Sequence, residues 1–276
     1  MGIRIVVDST ADLTPQVRQR VAVVPLTVHF ADEEFVDGLD ITAQEFYEKL
    51  QTSKVLPTTS QASPYAFSAA FGQAVADGEE VIAITVSSQL SGTYQSAVIA
   101  AEDYPDKVYV VDSLNIALGS AILTEYALRL VDEGRGVQEI VTALEAARDR
   151  IRLLAVVDTL EYLQRGGRLS KTAAVAGGIL SIKPVIGLVE GQIKVIAKGR
   201  GNKQANALMN QEVKNAGIDP DMPAMLGYTG TDDALLEKYC SESGTLWPGE
   251  TPRSIVCGVV GTHAGPGAVA LAFFAL

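Results

Sequence analysis

The sequence predicts an α/β protein of two units, a first with a mostly parallel sheet flanked by helices and a second α/β unit with antiparallel pairing. Three observations carry this. Apolar β-rich runs alternate with helix-like segments through the first half, the pattern of a parallel sheet covered by helices. A long helical stretch from about Val137 to Arg152 then leads out of that alternation. Beyond it the strand pattern restarts, with two runs separated only by Glu190-Gly191-Gln192, a spacing that suits a hairpin with a glycine-assisted turn. We place the units at residues 1–152 and 153–276.

Taken in order, strand-like runs occur at Ile3 to Val7, Val21 to Val28, Val81 to Val86 and Val108 to Val111. Helix starts stand between them. Thr14-Pro15 and Ser63-Pro64 each put a capping hydroxyl before a proline at the first helical position, and Thr42 with Glu45 forms a capping box. Phe67, Ala70, Phe71 and Ala74 recur at helical spacing, so this stripe is expected in the core. In the second half the runs are Leu153 to Val157, Pro184 to Val189, Ile193 to Ala197, Ala224 to Tyr228 and Ser254 to Val260. The stretch Gly267 to Leu276 is strongly apolar but shorter than the roughly 20 residues of a membrane span, and a buried closing strand is expected.

The 276 residues are 47% hydrophobic, ample for a full core. Cys240 and Cys257 are too isolated for a disulfide framework, no Cys/His cluster has zinc spacing, and a secretory signal pattern is lacking. A cytoplasmic protein without a metal site or other cofactor is expected. The net charge of −11 argues against general nucleic-acid binding, which draws on phosphate neutralisation. The charge is uneven, however. From Arg165 to Lys203 eight basic residues, Lys171 among them, face the single Glu190, a net +7, which leaves −18 for the remainder.

Chemistry gathers in three polar stretches: Pro57 to Gln61, Ser91 to Gln95 and Thr262 to Gly267. In an open parallel sheet, ligands bind beyond the carboxyl ends of the strands, so the loops at Asp8-Ser9-Thr10, Ser87 to Thr93 and Asp112-Ser113 are expected to converge. Ser91-Gly92-Thr93 opens a helix whose first amides suit an anion, although Ser91 and Thr93 could equally serve as caps and Asp8 could cap its own turn. His263, flanked by Gly261, Gly265 and Gly267, follows a strand-like run into a turn, a context that favours a functional role, whereas His29 reads as structural. Ser91, His263 and Asp8 could also be drawn as a hydrolytic triad. A Gly-x-Ser-x-Gly elbow is lacking, as are a Walker A sequence and a Gly-x-Gly-x-x-Gly after the first strand. An acyl-ester hydrolase using Ser91 and His263 stays open as an alternative, as does a small-metabolite enzyme using His263.

These motifs have a counterpart in one known family. Asp8-Ser9-Thr10-Ala11-Asp12-Leu13, Asp37-Gly38 with Asp40-Ile41, Pro57 to Gln61, Leu90 to Ala97, Val111-Asp112-Ser113, Leu160 to Leu163 with Arg165-Gly166-Gly167-Arg168, Ile182-Lys183-Pro184, Lys198 to Gly201 and His263 to Gly267 occur in order along nearly the whole chain. In this the chain resembles the DegV family, bacterial fatty acid-binding proteins that serve as acyl-carrier subunits of a fatty acid kinase. The resemblance implies a two-domain DegV-like fold that holds a long-chain fatty acid, such as palmitate or oleate, between its domains. It implies that Thr59, Ser91 and His263 bind the carboxylate with help from amides around Gly92 and Thr93. It further implies a carrier rather than an enzyme, with a separate ATP-dependent kinase phosphorylating the carboxylate for phospholipid synthesis. Arg165, Arg168, Lys198 and Arg200 are the implied docking surface. Two positions depart from the family pattern: Gln204, where a basic residue is common, and Ala62, where Ser-Gln-Pro-Ser is common.

Overall fold

Hydrophobic runs of period two and capped helical segments organise the chain into three sheets and ten helices among the residues described by the computed structural model, which are 2–169, 181–247 and 250–276. Strand β1 (Ile3–Asp8) leads through a buried polar loop into the helical turn α1 (Pro15–Arg18), started by Thr14, whose hydroxyl accepts the Val17 N–H. β2 (Ala22–Val24), β3 (Thr27–Phe30) and β4 (Glu33–Val36) precede α2 (Ala43–Thr52), which begins with the predicted Thr42–Glu45 capping box. Then come β5 (Thr58–Ser60), α3 (Pro64–Ala76) capped by Ser63, β6 (Glu80–Thr85), α4 (Thr93–Ala101) and β7 (Val108–Asp112). Helices α5 (Leu118–Asp132) and α6 (Val137–Arg148) lead to β8 (Ile151–Val156) and the short α7 (Glu161–Arg165). The chain continues through β9 (Ile182–Val189), β10 (Gln192–Arg200), α8 (Gly201–Ala216), β11 (Ala224–Tyr228), α9 (Ala234–Ser243), β12 (Arg253–Ile255), α10 (Gly258–Ala264) and β13 (Val269–Phe274).

The first sheet, β2-β1-β6-β7, is parallel throughout, as the alternation predicts. The second, β10-β9-β8-β13-β11-β12, is antiparallel except for the β11–β12 pair. A small antiparallel sheet, β4-β3-β5, is inserted in the chain between β2 and β6 of the first. The β9–β10 hairpin turns through Glu190 and Gly191, both with positive φ, the geometry of a tight hairpin matched to strand twist. The closing strand is central rather than peripheral: β13 pairs with both β8 and β11, and all six of its residues are buried.

Layers follow from which faces are apolar. Phe67, Phe71 and Ala74 of α3 pack with Ala97 and Ala100 of α4 against Val6, Val81 and Ala83 of the parallel sheet, so the predicted aromatic stripe is core. Met209 and Val213 of α8 and Leu236 and Tyr239 of α9 cover the outer face of the mixed sheet. Between the sheets lies α5, whose Leu118, Ala121, Ile122 and Leu123 share one core with Ile5, Val7, Ile82 and Ile84 on one side and Ala270, Ala272 and Phe274 on the other. Burying each such large side chain contributes about 1.5–3 kcal/mol. No helix among the described residues is long and apolar enough to cross a membrane.

Three elements differ from the sequence expectation. Val21 to Val28 is two strands in two sheets, because Pro25 lacks the N–H that a continuous ladder needs. The helix expected to reach Arg152 stops at Arg148. Tertiary pairing captures the residues beyond it: the Arg150 carbonyl accepts from Ala275, and Ile151 pairs with Phe274. The run Ser254 to Val260 is a strand only to Ile255, and its β-branched Val259 and Val260 lie in α10. Glycine at 258 and 261 allows the close approach that draws this segment onto α2, since a β-carbon at either position would press on Phe46 or Tyr47.

Candidate functional site

A cavity lies in the layer between the two large sheets, beside the N-terminal end of α5. Its volume is about 400 Å³, within the range of small-molecule sites. Strand alternation explains its floor. Leu153, Ala155 and Val157 point to the same side of β8 and its continuation, and Ala155 pairs with Ala270 on one side and Ile186 on the other. Leu188 and Ile193 of the β9–β10 hairpin, Leu26, Val86 and Leu90 from the first half, and Val259 and Val260 of α10 extend the apolar wall.

Polar groups enter this wall from β5, the loop before α4, α10 and the turn after α7. Thr59, Ser60, Gln61, Ser91, Gly92, Arg168 and His263 all line the cavity, with Thr10 and Thr229. Several are tied to one another. His263 Nε2 lies 3.0 Å from Thr59 Oγ1. The Gln61 side chain lies over Gly92, so that any β-carbon at 92 would collide with it, and its Nε2 donates to Ser96 Oγ at 3.0 Å. Arg168 donates from Nε to the Leu90 carbonyl at 3.1 Å and from Nη1 to the Gly166 carbonyl at 2.6 Å.

The loops converge as the sheet topology requires. Asp8 does more than cap its own turn. Its Oδ1 accepts the Thr10 N–H (3.0 Å) and hydroxyl (2.6 Å), while Oδ2 accepts the Val86 N–H (2.6 Å), which binds the end of β1 to the end of β6. Burial raises its pKa and these hydrogen bonds oppose the rise. Asp112 Oδ1 accepts from the Ser88 and Leu114 amides, so it supports the same edge without lining the cavity. Ser87 Oγ donates to the Gly191 carbonyl at 2.8 Å, joining this loop to the tip of the β9–β10 hairpin.

Ser91 stands just before Gly92, the N-cap of α4, and in the cavity wall. Its Oγ accepts the Thr93 N–H at 3.2 Å and lies 2.9 Å from Thr93 Oγ1, yet it also lines the cavity. The Thr93 amide is therefore engaged with Ser91, and the Thr93 side chain is buried behind the wall. No hydrogen bond joins Ser91 to His263, and Asp8 is spent on Thr10 and Val86, so the three do not form a relay.

His263 sits in the last turn of α10, not in a turn after a strand. Burial lowers its pKa to about 4, with the charge of Arg168 a second cause, so the imidazole is neutral at pH 7. Its Nδ1 is buried without a hydrogen-bond partner. We assign the proton to Nε2, because an unpaired acceptor is less costly there than an unpaired N–H. The Thr59 hydroxyl then accepts from His263 and keeps its own hydrogen for a ligand. His29, by contrast, bonds Ser60 Oγ from β3 at 2.7 Å.

The basic segment is not one face. Arg168 lines the cavity and is the fixed positive charge among its described lining residues. Arg165 is exposed on α7 and ion-pairs with Glu161 at 2.6 Å. Lys183 pairs with Asp158. Lys198 and Arg200, with Lys194, project from the exposed face of β10, an edge strand. Lys171 lies outside the described residues. Of the two departures, Ala62 is buried in the core and Gln204 accepts the Arg200 N–H at 2.6 Å.

The model of the DegV family, described as an uncharacterised protein, matches residues 2–276. The chain belongs to the DegV family. A DegV domain-containing protein of Caldanaerobacter subterraneus subsp. tengcongensis is 40% identical over 98% of this chain and 98% of its own. Among solved structures, a DegV family protein from Thermus thermophilus, described by its fatty acid binding, superposes with a TM-score of 0.90 at 32% identity and covers 100% of both chains. A stearic acid-binding protein from Eubacterium ventriosum gives 0.87 at 28% identity, covering 100% of this chain and 98% of its own. The DegV match and the two-sheet α/β architecture agree with the fold predicted from sequence. Sequence reasoning placed Gln61 and Thr10 in its polar loops without giving either a role of its own, and it did not single out Thr229. The first two stand inside quoted family motifs, whereas Thr229 follows β11 with nothing local to mark it.

Proposed function

We propose that this DegV protein binds a long-chain fatty acid in the inter-sheet cavity and presents its carboxylate to a separate ATP-dependent fatty acid kinase. The observation that carries the binding step is one apolar cavity whose wall is interrupted by the polar residues Thr59, His263, Ser91, Gly92 and Arg168, with Thr59 and His263 hydrogen-bonded to each other. Relatives that bind fatty acids share this fold over their full length. Each buried methylene contributes about 0.8 kcal/mol, so a tail of about 14 contributes roughly 11 kcal/mol before ordering costs. Hydrogen bonds to a charged head contribute about 1.5–3 kcal/mol each, against its desolvation. The tail supplies most of the affinity, and the head adds to it and sets orientation.

In this reading the Thr59 and Ser91 hydroxyls donate to the carboxylate, neutral His263 holds the Thr59 hydroxyl in line, and Arg168 supplies the compensating charge. The kinase step rests on the motif resemblance and on the exposed cations Arg165, Lys198 and Arg200, which are the docking candidates.

Native mass spectrometry of the purified protein is expected to release a long-chain fatty acid. Absence of any lipid, together with no uptake of added palmitate or oleate, would overturn the binding reading. Ser91→Ala and His263→Ala are expected to weaken affinity by about one to two orders of magnitude, measured by titration. In a reconstituted kinase assay, Arg165→Glu should lower acyl phosphate formation while leaving lipid affinity in place. Equal turnover by wild type and variant would remove Arg165 from the docking surface.

A further inference from the structure

We infer that Asp12 and Asp37 are positioning residues for the head-group site, because together they hold the backbone at the start of α10 and so set His263 against Thr59. The inference rests on the reading of His263 as part of the carboxylate site.

The junction between β12 and α10 is bound at consecutive backbone groups by buried side chains from the first 50 residues. Tyr47 Oη donates to the Val256 carbonyl at 3.0 Å. Asp12 Oδ1 accepts the Cys257 N–H at 2.8 Å. Asp37 Oδ1 lies beside Gly258, close enough that a β-carbon there would stand 3.3 Å away, and the nearby Ser9 hydroxyl and Gly258 and Val259 amides oppose the rise that burial gives its pKa. These are the amides a helix start leaves unsatisfied, and α10 has no side-chain cap of its own from Cys257. The helix they hold is only seven residues long, and His263 is its sixth. A rigid element that short carries a shift at its first turn directly to its last.

Both carboxyl groups are buried, and each keeps one oxygen without a hydrogen-bond partner. Two buried carboxyls side by side, beside the Cys257 thiol and Tyr47 hydroxyl, are a costly way to cap a helix. Neither touches the cavity. Positioning explains why they stand there: a carboxyl oxygen accepts at a fixed point, as Asp12 Oδ1 does from the Cys257 N–H, which an apolar contact cannot do.

The chain has two histidines, so in a His29→Gln background nuclear magnetic resonance follows the His263 imidazole alone. Asp12→Ala and Asp37→Ala, tested in lipid-free protein, are each expected to move the His263 ring resonances and raise its pKa from about 4 toward the ordinary value of 6.5. Fatty acid affinity should fall about tenfold in parallel. Asp12→Asn keeps an acceptor for the Cys257 N–H and should restore the His263 signature. Should the alanine variants fail to fold, Tyr47→Phe removes the hydrogen bond to Val256 and is expected to shift the same resonances in the same direction. A folded variant with wild-type His263 resonances, or weakened binding without any change at the ring, would overturn the inference. The imidazole readout needs no lipid, so absence of fatty acid binding in wild type would sink the proposed function without deciding this point.

Discussion

At the scale of single residues, titration separates the groups that hold the site from those that face the ligand. His263 refuses a proton until about pH 4 in the fold, whereas an exposed imidazole takes one near 6.5. The unfolded chain thus binds more protons between these values, and the stability contributed by the neutral ring, present above 6.5, is lost as pH falls toward 4. Asp12 acts in the opposite sense. Burial, with the charge of Asp37 adding to it, raises its pKa from 3.8 to about 8, so its contribution is present below 3.8 and is lost as pH rises toward 8. Asp12→Asn is therefore expected to stabilise the protein at pH 8 relative to wild type, with little difference near pH 4, as thermal denaturation across pH would register. Thr59, Ser91 and His263 were legible as candidates because hydroxyls at strand ends and a glycine-flanked histidine are rare in so apolar a chain. The inward course of Arg168 was not legible, since only the backbone carbonyls of Leu90 and Gly166 direct it there.

At the scale of elements, α7 and α10 interlock through absent side chains. A β-carbon at Gly166 would collide with His263 Nδ1, and one at Gly265 would enter the Tyr162 ring. Gly166 has φ −73°, a conformation alanine adopts without strain. Gly166→Ala should therefore displace the imidazole while leaving the backbone in place: lipid affinity drops, and the melting temperature moves little. A large loss of melting temperature with unchanged affinity would contradict this packing account. Local pattern predicted α2 and α3 well because their caps are written in neighbouring residues. It failed at α10, where Val259 and Val260 favour a strand and the start of the helix is bound by Asp12 and Tyr47 more than 200 positions earlier. No local window contains that information.

For the whole molecule, the sequence suggested two units joined near residue 152, and the architecture gives them one common interior. Leu118 is fully buried between the sheets and approaches Gly227 of β11 so closely that a β-carbon there would meet its methyl groups. Leu118→Ala is expected to cost about 2–5 kcal/mol. It should lower a single calorimetric transition rather than split it, because both sheets lose the same contact. Two resolved transitions, only one of them shifted, would show the sheets melting separately.

The placement of α5 also makes it a clock. Because ten of its fifteen residues are buried, its amides can trade hydrogen for deuterium only when the whole protein opens, whereas loops such as the one before α4 exchange through local excursions. Added palmitate should slow labelling of α5 by the factor its occupancy dictates, which would weigh the ligand's grip on the folded state without any probe placed near the cavity.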